Sequence, residues 1–273
     1  MMFVKPAVNE TFTITSVPEW PGINFETDGT GAHTWHWTIA WDRFTKSGSE
    51  TTTGNQWDAK ALVVNCGGTL TVRAEANNTM ATVTVKISGT NPSPSEVAGY
   101  LAMRPNSAGF DKIVEHESKF KHFNMRNEPI KSFDNGYGMC QLTNPAPTFD
   151  QVWNWKMNVE AALNLFEQKR ANAIVYLSQN NRTYTNEQLK YEAVCRWNGG
   201  AYHVWDAKAG KWVRPSNILC DSKTGNIGWN MDDAENKDKT EEDLHKRDSG
   251  SYSKPPGTHW KYYGVCYADS ILG

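Results

Sequence analysis

The sequence predicts two domains: an all-β sandwich followed by a mainly helical domain. Three observations carry that expectation. Apolar and polar residues alternate strictly in several runs before residue 90. A proline-bearing break, Asn91-Pro92-Ser93-Pro94-Ser95, follows, where the prolines cannot serve a central strand. Beyond it the apolar residues recur at helical spacing. The expected boundaries are 1–90 for the β domain, 91–97 for the linker and 98–273 for the helical domain.

In the β region, His33 to Trp41 places Trp35, Trp37, Ile39 and Trp41 on one face and Thr34, His36, Thr38 and Ala40 on the other. Thr69 to Ala76 alternates too. After the turn signal Asn77-Asn78, Val83, Val85 and Ile87 share a side, so the two runs predict a hairpin. Thr11 to Val17 and Ala61 to Val64 add short strands. This pattern suits an antiparallel sandwich of immunoglobulin-like type, in which the tryptophan stripe is core rather than a sugar platform. His33 and His36 are expected at the surface.

In the helical region, Val97, Leu101, Phe110, Ile113, Val114 and Phe120 keep helical spacing. Thr148-x-x-Gln151 and Thr185-x-x-Gln188 read as capping boxes that start helices. Between them Val152, Trp155, Val159, Leu163, Phe166, Ile174 and Leu177 predict one long buried helix or two end to end. Gly199-Gly200 stops the last of these. Asp232 to Ser253 is highly charged and reads as a loop or weakly helical excursion.

The composition narrows the function classes. Residues 98–220 carry 15 Lys and Arg against 11 Asp and Glu, an excess too small and scattered for a nucleic-acid surface but compatible with an anionic polymer. The five cysteines show no zinc spacing, and neither do His203, His245 and His259, so no metal and no cofactor is expected. A Cys220–Cys266 bridge would staple the C-terminal segment, whereas Cys140 and Cys195 read as small core residues. No segment reaches the roughly 18 apolar residues of a membrane span, and no targeting signal opens the chain.

The chemistry concentrates between Ile113 and Leu142. Glu115 and Glu117 stand two residues apart in an apolar-periodic segment, and Gly136-Tyr137-Gly138 leads into Met139-Cys140-Gln141-Leu142. Residues two apart on a helix do not share a face, so if Glu117 points into a cleft Glu115 points away. An apolar setting would keep a carboxyl protonated for general-acid work.

The ordered succession of Glu117-Ser118, Gly138-Met139-Cys140-Gln141-Leu142 and Ala193-Val194-Cys195-Arg196-Trp197-Asn198-Gly199-Gly200 resembles the soluble lytic transglycosylases and goose-type lysozymes. The resemblance covers about residues 105–205. It implies a lysozyme-like fold for the second domain and cleavage of the N-acetylmuramic acid–N-acetylglucosamine bond of peptidoglycan. It casts Glu117 as the single acid/base and Gln141 as a cleft-lining glutamine. Ser118, Tyr137, Met139, Trp197, Asn198 and Tyr202 become glycan-binding or supporting residues. Trp197 stands where the family has tyrosine, so Tyr137, Tyr191 or Tyr202 would have to supply the missing hydroxyl. An inverting hydrolase would need a second carboxylate about 6.5–9.5 Å away, for which Asp134 is the candidate and Glu128 a weaker one.

The expected partner is a peptidoglycan strand. The β domain would then serve docking or wall binding. With no signal peptide, delivery by a phage particle, a holin or a secretion system to the periplasm or wall is expected. An immunity protein or a component of that apparatus would be a second partner. The competing reading is a non-catalytic glycan-binding protein.

Overall fold

A computed structural model describes residues 1–61, 65–225, 227–249 and 260–273. The chain divides into two compact units, one of residues 1–100 with 117–162, the other of residues 101–116 with 163–273.

The first unit holds strands β1 (Phe3–Lys5), β2 (Thr11–Ile14), β3 (Asn24–Thr27), β4 (His33–Trp41), β5 (Phe44–Thr52), β6 (Gln56–Asp58), β7 (Gly68–Ala76) and β8 (Thr79–Gly89). Five of them form a sheet in the order β2-β8-β7-β4-β5, and β1-β3-β6 form another. Only the β2–β8 pair of the larger sheet is parallel. The predicted β7–β8 hairpin is present, and Asn77 and Asn78 both adopt positive φ, as a two-residue turn matched to strand twist requires. Trp35 and Ile39 are wholly buried while Trp37 and Trp41 are partly so, which makes the stripe core. Trp37 lies directly across from Gly48, where a Cβ would press into the indole ring. Ala61 sits in a short 3-10 turn, Ala59–Ala61, and the rest of the strand expected to Val64 lies outside the described residues.

His33 is not at the surface. It is fully buried, stacked on Trp35, with Nε2 2.8 Å from the Thr27 hydroxyl and Nδ1 2.8 Å from Gly31 O. Its position in the same parity as the tryptophans decided this, because alternation sends both to one face.

Helix α1 (Pro94–Ala102) follows at once, and then α2 (Phe110–Ser118). The predicted Thr148 capping box opens α3 (Phe149–Trp153). Asn154 then interrupts the helix with extended dihedrals and accepts the N–H groups of Lys156 and Met157, which starts α4 (Trp155–Leu177). Phe123, Tyr137, Phe149, Val152 and Trp153 share a single apolar core with the strands of the large sheet. Asn91, at the start of the expected linker, accepts the N–H groups of His122 and Phe123 at 2.7 and 2.8 Å.

In the second unit, α5 (Asn186–Asn198) opens on the predicted Thr185 capping box. It leads to a hairpin of β9 (Val204–Asp206) and β10 (Lys211–Val213). A three-stranded sheet combines β11 (Ile218–Cys220), β12 (Ile227–Asn230) and β13 (Trp260–Tyr262). The charged excursion carries a 3-10 turn, Ala234–Asn236, and α6 (Glu241–Ser249); its residues 250–253 lie outside the described residues. The chain closes with α7 (Gly264–Leu272). Cys220 and Cys266 form a disulfide, and Cys66, Cys140 and Cys195 are buried thiols.

The expected fold class, an immunoglobulin-like all-β sandwich plus a mainly α lysozyme-like domain, is overturned. Helix and strand contribute almost equally and are interleaved, with several small sheets and strands continuing after residue 204. Those late strands are only three or four residues long, too short to display the two-residue period by which strands are recognised.

Candidate functional site

The Gly136–Leu142 turn is closed by its own backbone and buried from Gly136 to Cys140. Tyr137 and Leu142 exchange two backbone hydrogen bonds of 3.1 Å. Gly138 has φ +73, and a Cβ there would collide with the His122 ring and the Asn158 amide. No residue other than glycine meets both demands without strain.

Two buried side chains that the sequence reading missed hold this turn. His122 Nδ1 accepts the Met139 N–H at 3.0 Å, so the ring proton sits on Nε2 and is donated to Val152 O at 2.8 Å. Burial pushes the His122 pKa down to about 4, which keeps the ring neutral near pH 7. Asn158 Oδ1 accepts the Cys140 N–H at 2.9 Å, while its amide nitrogen donates to Tyr137 O at 3.1 Å. The available signal was an asparagine set among Trp155, Val159 and Ala162, all buried on α4. A polar residue in such a stripe must find partners.

The tip of the β4–β5 hairpin completes the support. Asp42, at φ +51, accepts the Tyr137 hydroxyl at 2.6 Å and Lys131 Nζ at 2.8 Å. These bonds hold its carboxyl below the usual carboxylate range. The Arg43 guanidinium lies 5.2 Å from the Tyr137 ring centroid.

Glu117 is the penultimate residue of α2 and is half-buried. Burial pushes the Cys140 thiol up, and the Glu117 charge pushes it further, so the carboxylate lies within electrostatic reach of the turn. Ser118, half-buried, ends the helix, and Lys119 and Phe120 follow with φ +55 and +60. Such backbone is costly for bulky residues. Glu115 pairs instead with Lys112 at 3.2 Å.

Within the turn, Met139 is fully buried. Gln141, at φ +49, donates its side-chain amide to Gly138 O at 2.7 Å. Asp134 is exposed, and its Oδ1 accepts the Ser132 hydroxyl and the Gly136 N–H. Glu128, half-buried, belongs to the short excursion whose carbonyl accepts the Asn124 N–H.

The third motif belongs to the second unit. Trp197 packs edge-on against Phe110 and lies over Phe166, and Asn198 is exposed at the end of α5. Tyr202 is buried and donates its hydroxyl to Asp269 at 2.6 Å. Tyr191 donates to Leu272 O at 3.1 Å. All three tyrosines considered as hydroxyl donors thus hold protein partners. Glu192, also missed, is fully buried. One of its oxygens accepts the N–H groups of Tyr202 and His203, both at 3.0 Å, and lies 3.1 Å from His203 Nδ1. Arg196 Nη2 is 2.8 Å from the other oxygen, an ion pair across one helical turn.

Of the candidate residues, Asp134, Tyr137, Met139 and Gln141 lie in the turn and its approach, Glu117 and Ser118 at the end of α2 in the same unit, and Trp197, Asn198 and Tyr202 on and after α5 in the other. Among the described residues no group of three or more His, Cys, Asp or Glu is placed to hold a metal ion; His259 lies outside them. No described helix is long and apolar enough to cross a membrane. Compared with protein-family models and with curated proteins, the chain matches none.

Proposed function

We propose that this protein cleaves peptidoglycan between N-acetylmuramic acid and N-acetylglucosamine, with Glu117 as the single acid/base. The observation that carries the reading is the placement of Glu117 at the end of α2, half-buried and close enough to the glycine-bracketed turn for its charge to act on Cys140. The three ordered sequence motifs point the same way.

In this reading the Glu117 carboxyl gives its proton to the glycosidic oxygen, because an alkoxide leaves poorly. The carboxylate then takes the proton of the muramic acid C6 hydroxyl as that oxygen bonds to the anomeric carbon. The product is a 1,6-anhydro sugar, and no water is consumed. Gln141 would hydrogen-bond the acetamido and hydroxyl groups of the glycan. The substrate would place the protein in the periplasm or at the wall. A hydrolytic variant would use Asp134 to activate water; its exposure on the loop before Gly136 favours that alternative over Glu128.

Mass spectrometry of muropeptides released from purified murein tests the proposal. Anhydro ends, lighter than reducing ends by one water, are expected from the unaltered protein, and none from Glu117→Gln. Reducing ends would move the assignment to hydrolysis. No release, with retained binding to murein, would leave a glycan-binding protein.

A further inference from the structure

The C-terminal helix α7 is fastened to the helix that carries the third motif. A Cβ at Gly264 would overlap the carbonyl oxygens of Gly199 and Cys195, so α7 begins in direct contact with the end of α5. Asp269 on α7 accepts the Tyr202 hydroxyl at 2.6 Å and Arg214 Nε at 2.7 Å, and the Leu272 carbonyl accepts the Tyr191 hydroxyl. Tyr267 meets the His116 ring edge-on. One covalent link secures this helix, the Cys220–Cys266 disulfide to β11, closing a loop 46 residues long in sequence.

That link is open to chemistry. It lines a cavity of about 490 Å³ that also includes Arg214, Asp221 and Asp269. Cys220 is half-buried, and Arg214 Nη2 stands 3.3 Å from its sulfur. The other three cysteines are buried, and burial pushes each thiol well above its usual range, so none competes in exchange.

We propose that Cys220–Cys266 is a thiol–disulfide exchange site that regulates the candidate residues carried by α5, Trp197 and Asn198, by releasing or fixing α7 against α5; its effect on catalysis rests on the murein-cleaving reading above. The thiolate of a dithiol reductant enters the cavity and attacks Cys220 Sγ. The bond to Cys266 breaks, and Cys266 leaves as a thiolate that takes up a proton. The second thiolate of the reductant then attacks the mixed disulfide, forms the reductant's own disulfide and releases Cys220 as a thiolate beside Arg214. A disulfide oxidant reverses both steps. Such bonds persist in oxidising compartments and are reduced in the cytoplasm. The protein would thus be latent where it is made and active in the envelope.

The test compares the full-length protein oxidised, reduced with dithiothreitol, and as the Cys220→Ser/Cys266→Ser double variant. Hydrogen–deuterium exchange and muropeptide release are followed together. Reduction and the double substitution are expected to raise exchange in 186–198 and 260–273 and to slow release by about tenfold or more. Oxidised glutathione should restore the reduced wild type but not the variant. Unchanged exchange in both segments would overturn the proposal, as would a rise spread evenly over residues 1–100. If even the oxidised protein releases nothing, the murein reading fails, and the exchange pattern alone decides the switch.

Discussion

The phenolic hydroxyl of Tyr137 donates a 2.6 Å hydrogen bond to Asp42 Oδ2, joining the centre of the glycine-bracketed turn to the tip of the β4–β5 hairpin 95 residues earlier. Lys131 reaches the same carboxylate, and Arg43 and Phe44 cover the Tyr137 ring. The β sheet is therefore a wall of the turn that carries Gln141. These contacts fix the turn against the β4–β5 hairpin.

Asp42→Asn keeps the size of the side chain and removes its charge. The charge-assisted bonds to Tyr137 and Lys131 weaken, and stability is expected to fall by about 1–2 kcal/mol, read from the urea midpoint at unchanged slope. Because the folded-state pKa of Asp42 is lowered, the wild type holds this contribution above the unfolded carboxylate value and loses it as pH falls through the folded one. The variant should show a flatter acid limb below pH 4, the ordinary range of the carboxyl.

His122 gives a second acid limb at higher pH. Its folded pKa is pushed down to about 4 from an ordinary 6.5, so between those values the unfolded chain binds more protons. Stability is expected to be full above pH 6.5, to decline by about 3 kcal/mol as pH drops to 4, and to level off there with respect to this group. Chemical denaturation at pH 7.5, 5.5 and 4.5 reads the decline. His122→Gln should be less stable at pH 7.5 but lose less over the same interval; equal slopes would remove His122 as the cause.

Gly138→Ala tests the close approach of the turn to His122 and Asn158. The added methyl has no room, and φ +73 disfavours any side chain, so a loss of about 2–4 kcal/mol is expected. The drop should appear as a lower thermal midpoint. A neutral result would mean that the turn can open at little cost.

Thr185→Ala removes the hydroxyl that accepts the Gln188 N–H and leaves Gln188 bonded back to the Thr185 backbone. A loss of about 1 kcal/mol is expected, measured by denaturant unfolding.

Much of this protein is visible in short stretches of chain. The two capping boxes, the Asn77-Asn78 hairpin, the buried tryptophan face and the helical segment that carries Glu117 each depend on residues within a few positions of one another. Periodicity and cap chemistry act at that range, and so the sequence alone determined them. The Cys220–Cys266 pairing was also named from sequence, because two of five cysteines bracket the C-terminal segment.

The grouping of 117–162 with the β strands had no local signature. Phe123, Tyr137 and Trp153 enter the strand core through contacts with residues far away in sequence, and no period records such a partner. The same holds for His122, Asn158, Asp42 and Glu192. Each looks like an ordinary polar residue until burial removes water and makes a specific partner obligatory. The sequence determined where the capped helices and the hairpin turn begin and that Glu117 lies on a helix; the helix stops at Ser118, short of the helical spacing that ran on to Phe120. Only the tertiary structure decided what holds the turn beside that acid, because hydrogen-bond partners are chosen by folding in three dimensions.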